Sequence, residues 1–360
     1  MRLLVRRLSR RFKFFRILVQ TGHGAWAWML LLYGLATHGL TGKTPKASHL
    51  ALIAVFMRTG GRANDMLSDL IGFFSRPYHL PPAKGVLGEL DAAALAAIDA
   101  SLNRDGYYIF ENCLSANFCE RLVQKSLEAD CLMMGDEYSN GEIVKGRYDR
   151  AAPIMPKYLL TVDDTTDIEG VQELMSDPSL VRVAQNYLRS KPIFSGISLW
   201  WSPSVKEEAD ANAAQQFHWD MERIRWLRFF VYLTDVTEST GPHCFIAGSH
   251  RTNAIPRDML QQGYVRQSDE NIIQRYGRES YREFTGKRGT IIAEDSRGFH
   301  KGKKPIDSDR LILAFELSNS TFGANKRHRI RNIRAGRFAE YARRYPQLYA
   351  NFDFDPGLVH

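Results

Sequence analysis

The spacing of apolar residues along the 360-residue chain changes period several times, and each change predicts an element. Over residues 1–20, Leu4, Leu8, Phe12, Phe15 and Val19 recur at helical spacing, while Arg6, Arg10 and Lys13 lie off that stripe. This is the pattern of a basic amphipathic helix. Residues 25–36 form a second apolar run, shorter than the roughly twenty residues a spanning helix needs. It reads as a buried helix or a membrane-dipping anchor. Residues 49–74 form a third apolar, helical stretch broken at Gly60-Gly61, and 76–82 read as a Pro-punctuated linker. An alanine-rich helix follows over 90–102, a strand from Gly106, and a helix over 116–129 that Ser115 can cap. Residues 134–154 are loop-like and carry Lys145, Arg147, Tyr148 and Arg150, candidates for covering a substrate. Strand-like runs then occupy 194–201, 216–220, 227–234, 243–247, 290–294 and 310–317. A charged insertion over 251–288, with Tyr264, Tyr276 and Tyr281, is expected to fold over the mouth of whatever these strands build. A basic tail leads to a helix over 337–345, which Pro346 stops.

Three segments follow from this reading. Residues 1–85 are a basic, apolar helical front, 86–335 the strand-rich body, and 336–360 a helix and tail. The net charge of +8 is not shared among them. Residues 1–64 hold eleven Lys/Arg and no acid, leaving 37 bases against 40 acids in the rest. The basic balance therefore belongs to the front. It fits peripheral contact of residues 1–75 with an anionic membrane, or a helix packed on the body with its charges solvated. It does not mark the body as a nucleic-acid binder. A charged leader before an apolar run imitates an export signal, but no obvious small-x-small cleavage site is followed by a mature start. The four cysteines have no CxxC spacing, which fits free thiols in a reducing compartment and a cytoplasmic location.

The chemistry is concentrated in His218-Trp219-Asp220, His300 and Arg310. On a period-two strand His218 and Asp220 share one side and Trp219 the other. Two His and one carboxylate form the facial triad of non-heme Fe(II) sites with open coordination positions. Arg310 adds a planar, permanently charged fork suited to the far carboxylate of a keto acid such as 2-oxoglutarate. His243 and His250 are rival ligands, with His250 more suited to shaping the Gly248-Ser249-His250 turn.

These residues and their surroundings resemble the phytanoyl-CoA dioxygenase family of Fe(II)/2-oxoglutarate enzymes, from about residue 105 to 317. Asp105 to Ser115 looks like the family's opening strand and the turn into its next helix. Asp177-Pro178-Ser179-Leu180, running to Asn186-Tyr187-Leu188, resembles the helix before the barrel. Phe217-His218-Trp219-Asp220 matches the proximal iron motif, Gly241 to Arg251 the glycine-containing loop, and Gly289 to His300 the approach to the distal ligand. The resemblance implies a mainly β fold with flanking helices: a double-stranded β-helix (jelly-roll, cupin-like) core behind an α-helical N-terminal extension. It implies His218, Asp220 and His300 as metal ligands and catalytic centre, and Arg310 as the 2-oxoglutarate anchor. Tyr232 falls where the family often places an aromatic beside the cosubstrate. Fe(II), 2-oxoglutarate and O2 are the implied cofactors. Three departures stand out: Ala247 replaces a common proline, and Gly302 and Ile312 lack the hydroxyl that often helps hold the cosubstrate. Asp220 is present, whereas halogenating relatives replace that carboxylate with a small residue.

The implied reaction is hydroxylation or desaturation of an unactivated C–H, in a small organic or acyl-chain substrate, with release of succinate and CO2. Three other readings stay open at this point: a barrel that has lost turnover and acts as a binding module, a membrane-associated lipid or acyl hydroxylase, and a Zn or Mn hydrolase on the same ligands. Neither the substrate nor an oligomeric state is set by the sequence.

Overall fold

The computed structural model describes residues 24–80, 84–135, 144–205, 208–324 and 327–358. The basic helix expected over residues 1–20, and Pro81-Pro82 of the expected linker, lie outside them.

Three helices open the described chain: α1 (Gly24–Thr41), α2 (Lys46–Thr59) and α3 (Arg62–Phe74). The break between α2 and α3 falls at Gly60 and Gly61, both at positive φ, which only glycine adopts without strain. Helices α4 (Ala92–Arg104) and α5 (Ala116–Glu128) follow, separated by β1 (Tyr107–Phe110). Ser115 caps α5 by accepting from the Phe118 N–H. The segment expected as loop, 134–154, instead contains β3 (Val144–Arg147), which pairs with β2 (Asp130–Met134) just before that segment, and β2 pairs in turn with β4 (Lys157–Leu160). Two short helices, α6 (Val162–Thr166) and α7 (Glu169–Met175), precede α8 (Pro178–Leu188). Asp177 caps α8 and Pro178 opens it, the favoured pairing at a helix start.

The body is two sheets face to face. Strands β5 (Ile193–Ser202), β6 (Trp226–Tyr232), β9 (Ile291–Glu294) and β11 (Arg310–Ser318) form the centre of an eight-stranded sheet, ordered β1-β9-β6-β11-β5-β4-β2-β3. The facing sheet holds β7 (His243–Ile246), β8 (Tyr281–Phe284) and β10 (His300–Gly302) in the order β10-β7-β8. Every pairing in the two sheets is antiparallel, and the long connections pass from one sheet to the other. This is the expected double-stranded β-helix. Helices α9 (Arg257–Gln262) and α10 (Asp269–Tyr276) lie in the charged insertion before β8. Strands β12 (His328–Ile330) and β13 (Phe352–Phe354) pair beside α11 (Gly336–Arg344), which ends before Pro346 as expected.

Alternation along β11 shows how the layers are filled. Leu311, Leu313, Phe315 and Leu317 join the core under α4, α5 and α8, whereas Ile312 and Ala314 face the barrel interior with Phe230, Phe245 and Phe284. The outer face of the smaller sheet is covered by α1 and α2, whose Leu31, Leu52, Val55 and Phe56 pack with Phe217, Trp219, Met221 and Phe299. The N-terminal helices therefore back the segment that carries His218 and Asp220. Polar ties fix them there. Asn64 Nδ2 donates to the Arg223 and Ile224 carbonyls, and Asp65 pairs with Arg297 at 2.7 Å.

Candidate metal and keto-acid site

Residues 216–220 do not form the regular strand their alternation predicts. Phe217 and His218 make isolated bridges, and the His218 and His300 backbones exchange both hydrogen bonds, at 3.0 and 2.8 Å. Two residues on, the Asp220 N–H donates to the Ser296 carbonyl at 2.9 Å. The chain stays extended enough to keep alternation: Phe217 and Trp219 enter the core under α1 and α2 while His218 and Asp220 turn inward.

Ligand atoms of His218, Asp220 and His300 all lie within 4.8 Å of one another, and the three residues are buried. Their protonation suits a metal. His218 Nδ1 sits 3.0 Å from the Gln216 carbonyl, and His300 Nδ1 3.0 Å from that of Gly298. A carbonyl only accepts, so each Nδ1 carries the proton and each Nε2 keeps its lone pair free for a cation. Burial lowers both imidazole pKa values, His218 well below its ordinary value, which keeps the rings neutral. Asp220 Oδ2 accepts from Ser296 Oγ at 2.9 Å and pairs with Arg228 Nη1 at 3.0 Å. Two donors on one oxygen fix the carboxylate's rotation. A donor set of two neutral imidazoles and one oriented carboxylate, supported from behind, fits a divalent first-row ion.

Arg228 belongs to a larger buried network. Its Nη2 reaches Glu316 Oε2 at 2.6 Å, across the β6–β11 register. Glu316 Oε1 accepts from Arg223 Nε at 3.1 Å and from Ser195 Oγ at 2.7 Å. A bulge in the β5–β11 register between Glu316 and Leu317 turns Ser195 toward this carboxylate. Burial alone would raise the Glu316 pKa, but Arg223 and Arg228 overcome it and hold the carboxyl at about 2.

A cavity of about 180 Å³ opens beside the triad. His218, His300, Arg310, Arg228 and Lys157 supply its polar wall, and Trp200, Phe230, Ile312 and Ala314 its apolar wall. Arg310 is buried, yet its Nε and Nη1 have no hydrogen-bond partner. An unpaired buried guanidinium is costly, and burial lowers its pKa. A carboxylate entering the cavity would satisfy those orphan donors. Lys157 adds a second cation on the same wall; desolvation first, then Arg266, Arg310 and Arg228, lower its pKa to about 8.

Other expected residues fall elsewhere. Tyr232 is fully buried but does not line the cavity. Its hydroxyl donates to the Phe284 carbonyl at 2.7 Å and accepts from the His243 N–H at 3.1 Å. The phenol therefore braces the two sheets beside Arg310 rather than offering its hydroxyl to a cosubstrate. His243 lines the cavity, but its Nε2 is taken by Glu294 Oε2 at 2.8 Å. His250 packs against Gly106, outside the cavity. Lys145, Arg147, Tyr148 and Arg150 do not line it either: Tyr148 stacks on Trp201 and Arg150 pairs with Asp309 at 2.7 Å. From the insertion, Tyr264 packs its ring 6.2 Å from that of His218.

The departures have local causes. The Ala247 N–H donates to the Ser280 carbonyl at 2.8 Å, a bond proline could not make. A Cβ on Gly302 would lie 2.8 Å from Arg310 Nη2, so glycine leaves room for the guanidinium.

A family model described as phytanoyl-CoA dioxygenase matches residues 102–305, more than half of the chain. An ectoine dioxygenase from Sphingopyxis alaskensis is 26% identical over 249 residues, which is 64% of this chain and 77% of that protein. Among solved structures, the α-ketoglutarate-dependent epimerase SnoN from nogalamycin biosynthesis is similar with a TM-score of 0.45 at 20% identity, covering 63% of this chain and 84% of that chain. EctD from S. alaskensis with bound Fe gives a TM-score of 0.44 at 20% identity, over 68% and 83%. The family match spans both histidines and Asp220, and on that basis the chain belongs to the phytanoyl-CoA dioxygenase family and is an Fe(II)/2-oxoglutarate-dependent oxygenase that consumes O2.

Proposed function

We propose that His218, Asp220 and His300 hold the iron, that Arg310 receives the C5 carboxylate of 2-oxoglutarate, and that the reaction is hydroxylation or desaturation of an unactivated C–H. The observation that carries this reading is the buried Arg310, whose Nε and Nη1 are unpartnered on the wall of the cavity that His218 and His300 also line. When bound, the iron supplies the oxidising chemistry, in which 2-oxoglutarate and O2 become succinate and CO2 as one substrate C–H is oxidised. The chain's own part is positioning and exclusion. The Nδ1–H bonds to Gln216 and Gly298 hold both rings with Nε2 available. Ser296 and Arg228 orient Asp220. Trp200, Phe230, Ile312 and Ala314 keep water away from the reacting carbon. A cavity of this size, with charge on one wall and aromatic surface on the other, suits a small organic substrate better than a long acyl chain.

The test is anaerobic titration with Fe(II) and 2-oxoglutarate, read as the visible metal-to-ligand charge-transfer band. Wild type develops the band, Asp220→Ala loses it, and Arg310→Ala requires far more 2-oxoglutarate to reach it. His218→Ala has no succinate production. A wild type that binds iron without the band sinks the assignment, as does an Arg310→Ala variant with unchanged affinity for 2-oxoglutarate.

A further inference from the structure

Helix α1 has two faces of different fate. Ala27, Leu31 and Gly34 are buried against the body, and a Cβ on Gly34 would meet Ser48 Cβ at 2.2 Å, so α1 lies close on α2. The opposite side carries Trp26, Trp28, Met29, Leu32, Tyr33 and Leu40, exposed by 38% to 88%. At about 100° per residue these six side chains sweep an arc of roughly 160°. No charged residue occurs anywhere in α1. Soluble chains rarely leave a continuous apolar surface of this kind uncovered. Helix α3 repeats the feature with Met66, Leu70, Phe73 and Phe74, exposed by 55% to 78%.

Charge identifies the occupant. Seven bases, Arg2, Arg6, Arg7, Arg10, Arg11, Lys13 and Arg16, lie within the 23 residues before α1, and the first acid in the chain is Asp65. An apolar arc containing two Trp and a Tyr, adjoining a segment with only positive charge, matches the two halves of an anionic bilayer surface: headgroups for the bases, the headgroup–acyl boundary for the aromatics. The arc is also much wider than the a/d seam a single partner helix would cover. Among the described residues no helix is long and apolar enough to cross a membrane. We propose that the outer face of α1 docks the protein peripherally on anionic lipid, lying on the surface without spanning it. The proposal is independent of the iron site.

Vesicle sedimentation of the full chain tests it, with phosphatidylcholine vesicles against phosphatidylcholine–phosphatidylglycerol vesicles. Wild type is expected to pellet at least tenfold better with the anionic vesicles, and added salt should release it. The variant Trp26→Ser/Met29→Ser/Leu32→Ser/Tyr33→Ser changes only exposed side chains. It should bind those vesicles at least tenfold more weakly while its near-UV circular dichroism and its charge-transfer band stay as in wild type. Wild type remaining in the supernatant with both vesicle types overturns the proposal, as does a variant that pellets like wild type. A wild-type dimer in light scattering that the four serines convert to a monomer also overturns it, because the face then belongs to a second copy.

Discussion

Ser296→Ala separates the support of the proposed metal ligand, Asp220, from the stability of the fold. Ser296 Oγ donates to Asp220 Oδ2 at 2.9 Å and accepts from Trp226 Nε1 at 2.7 Å, and Ser296 and Trp226 are completely buried. Alanine removes both bonds but keeps the backbone carbonyl that holds the Asp220 N–H. Losing a bond to a charged acceptor costs about 1.5–3 kcal/mol, and an orphaned buried indole N–H about 1–3 kcal/mol. These losses share one side chain, so about 3 kcal/mol of stability is a fair total rather than their sum. For the metal, deleting a group that orients a ligand typically weakens binding about 10–100-fold, or roughly 1.4–2.7 kcal/mol. Arg228 still holds Asp220 in the variant, which places the expected effect toward the lower end. Trp226→Phe is the control. It removes the indole N–H and costs stability, yet leaves Ser296 free to serve Asp220, so its Fe(II) affinity should stay within about threefold of wild type. The assay pairs anaerobic Fe(II) calorimetry with urea unfolding of the metal-free proteins. The reasoning is refuted if Ser296→Ala binds Fe(II) as tightly as wild type. It is equally refuted if Trp226→Phe weakens iron as much as Ser296→Ala, since affinity would then merely follow stability.

Three further outcomes follow from single contacts. Gly302→Ala puts a Cβ 2.8 Å from Arg310 Nη2, so the KM for 2-oxoglutarate should rise about tenfold with kcat at saturation largely kept; an unchanged KM refutes the crowding. Ala247→Pro restores the family's residue but removes the bond to Ser280, and should lower stability by about 1–3 kcal/mol in urea unfolding instead of raising it. His250 is a pH probe: burial lowers its pKa from 6.5 to about 4 in the folded state. Between those values the unfolded chain binds the extra proton, so the His250 contribution is intact above pH 6.5 and declines as pH falls toward 4, by about 1.4 kcal/mol per pH unit at most. The wild-type minus His250→Gln difference in unfolding free energy should show that slope, and parallel curves over this window would contradict it.

The legible part of this protein was the part written in local patterns. Ser115 at a helix start, Gly60-Gly61 at a helix break and Pro346 after a helix end each act within one turn, and all three elements appear as expected. The juxtaposition of His218, Asp220 and His300 is legible because alternation places the first two on one side, and that survives even where pairing is too sparse for a strand. The hairpin of β2 and β3 was missed because β3, Val144–Arg147, is a polar edge strand whose pairing depends on a partner rather than on its own pattern. For Tyr232 the limit is different: position along a strand does not reveal whether a hydroxyl is already engaged, and this one is, by Phe284 and His243. Arg228 and Glu316, which brace Asp220, did leave a signal. Each is a charge inside an apolar strand, Leu227-Arg228-Phe229 and Phe315-Glu316-Leu317. A lone charge in a buried strand is prohibitive, but two of opposite sign in neighbouring strands imply each other. Their direct register in β6 and β11 is what that logic requires. The same accounting singles out Arg310, whose Nε and Nη1 have no protein partner and which the proposed function pairs with a ligand's carboxylate. Among the described residues, buried charges such as Arg228 and Glu316 are paired by the chain itself, whereas Arg310 faces the cavity with unpartnered donors beside a second cation, Lys157, and under the proposed function that contrast marks the site as clearly as the histidines do.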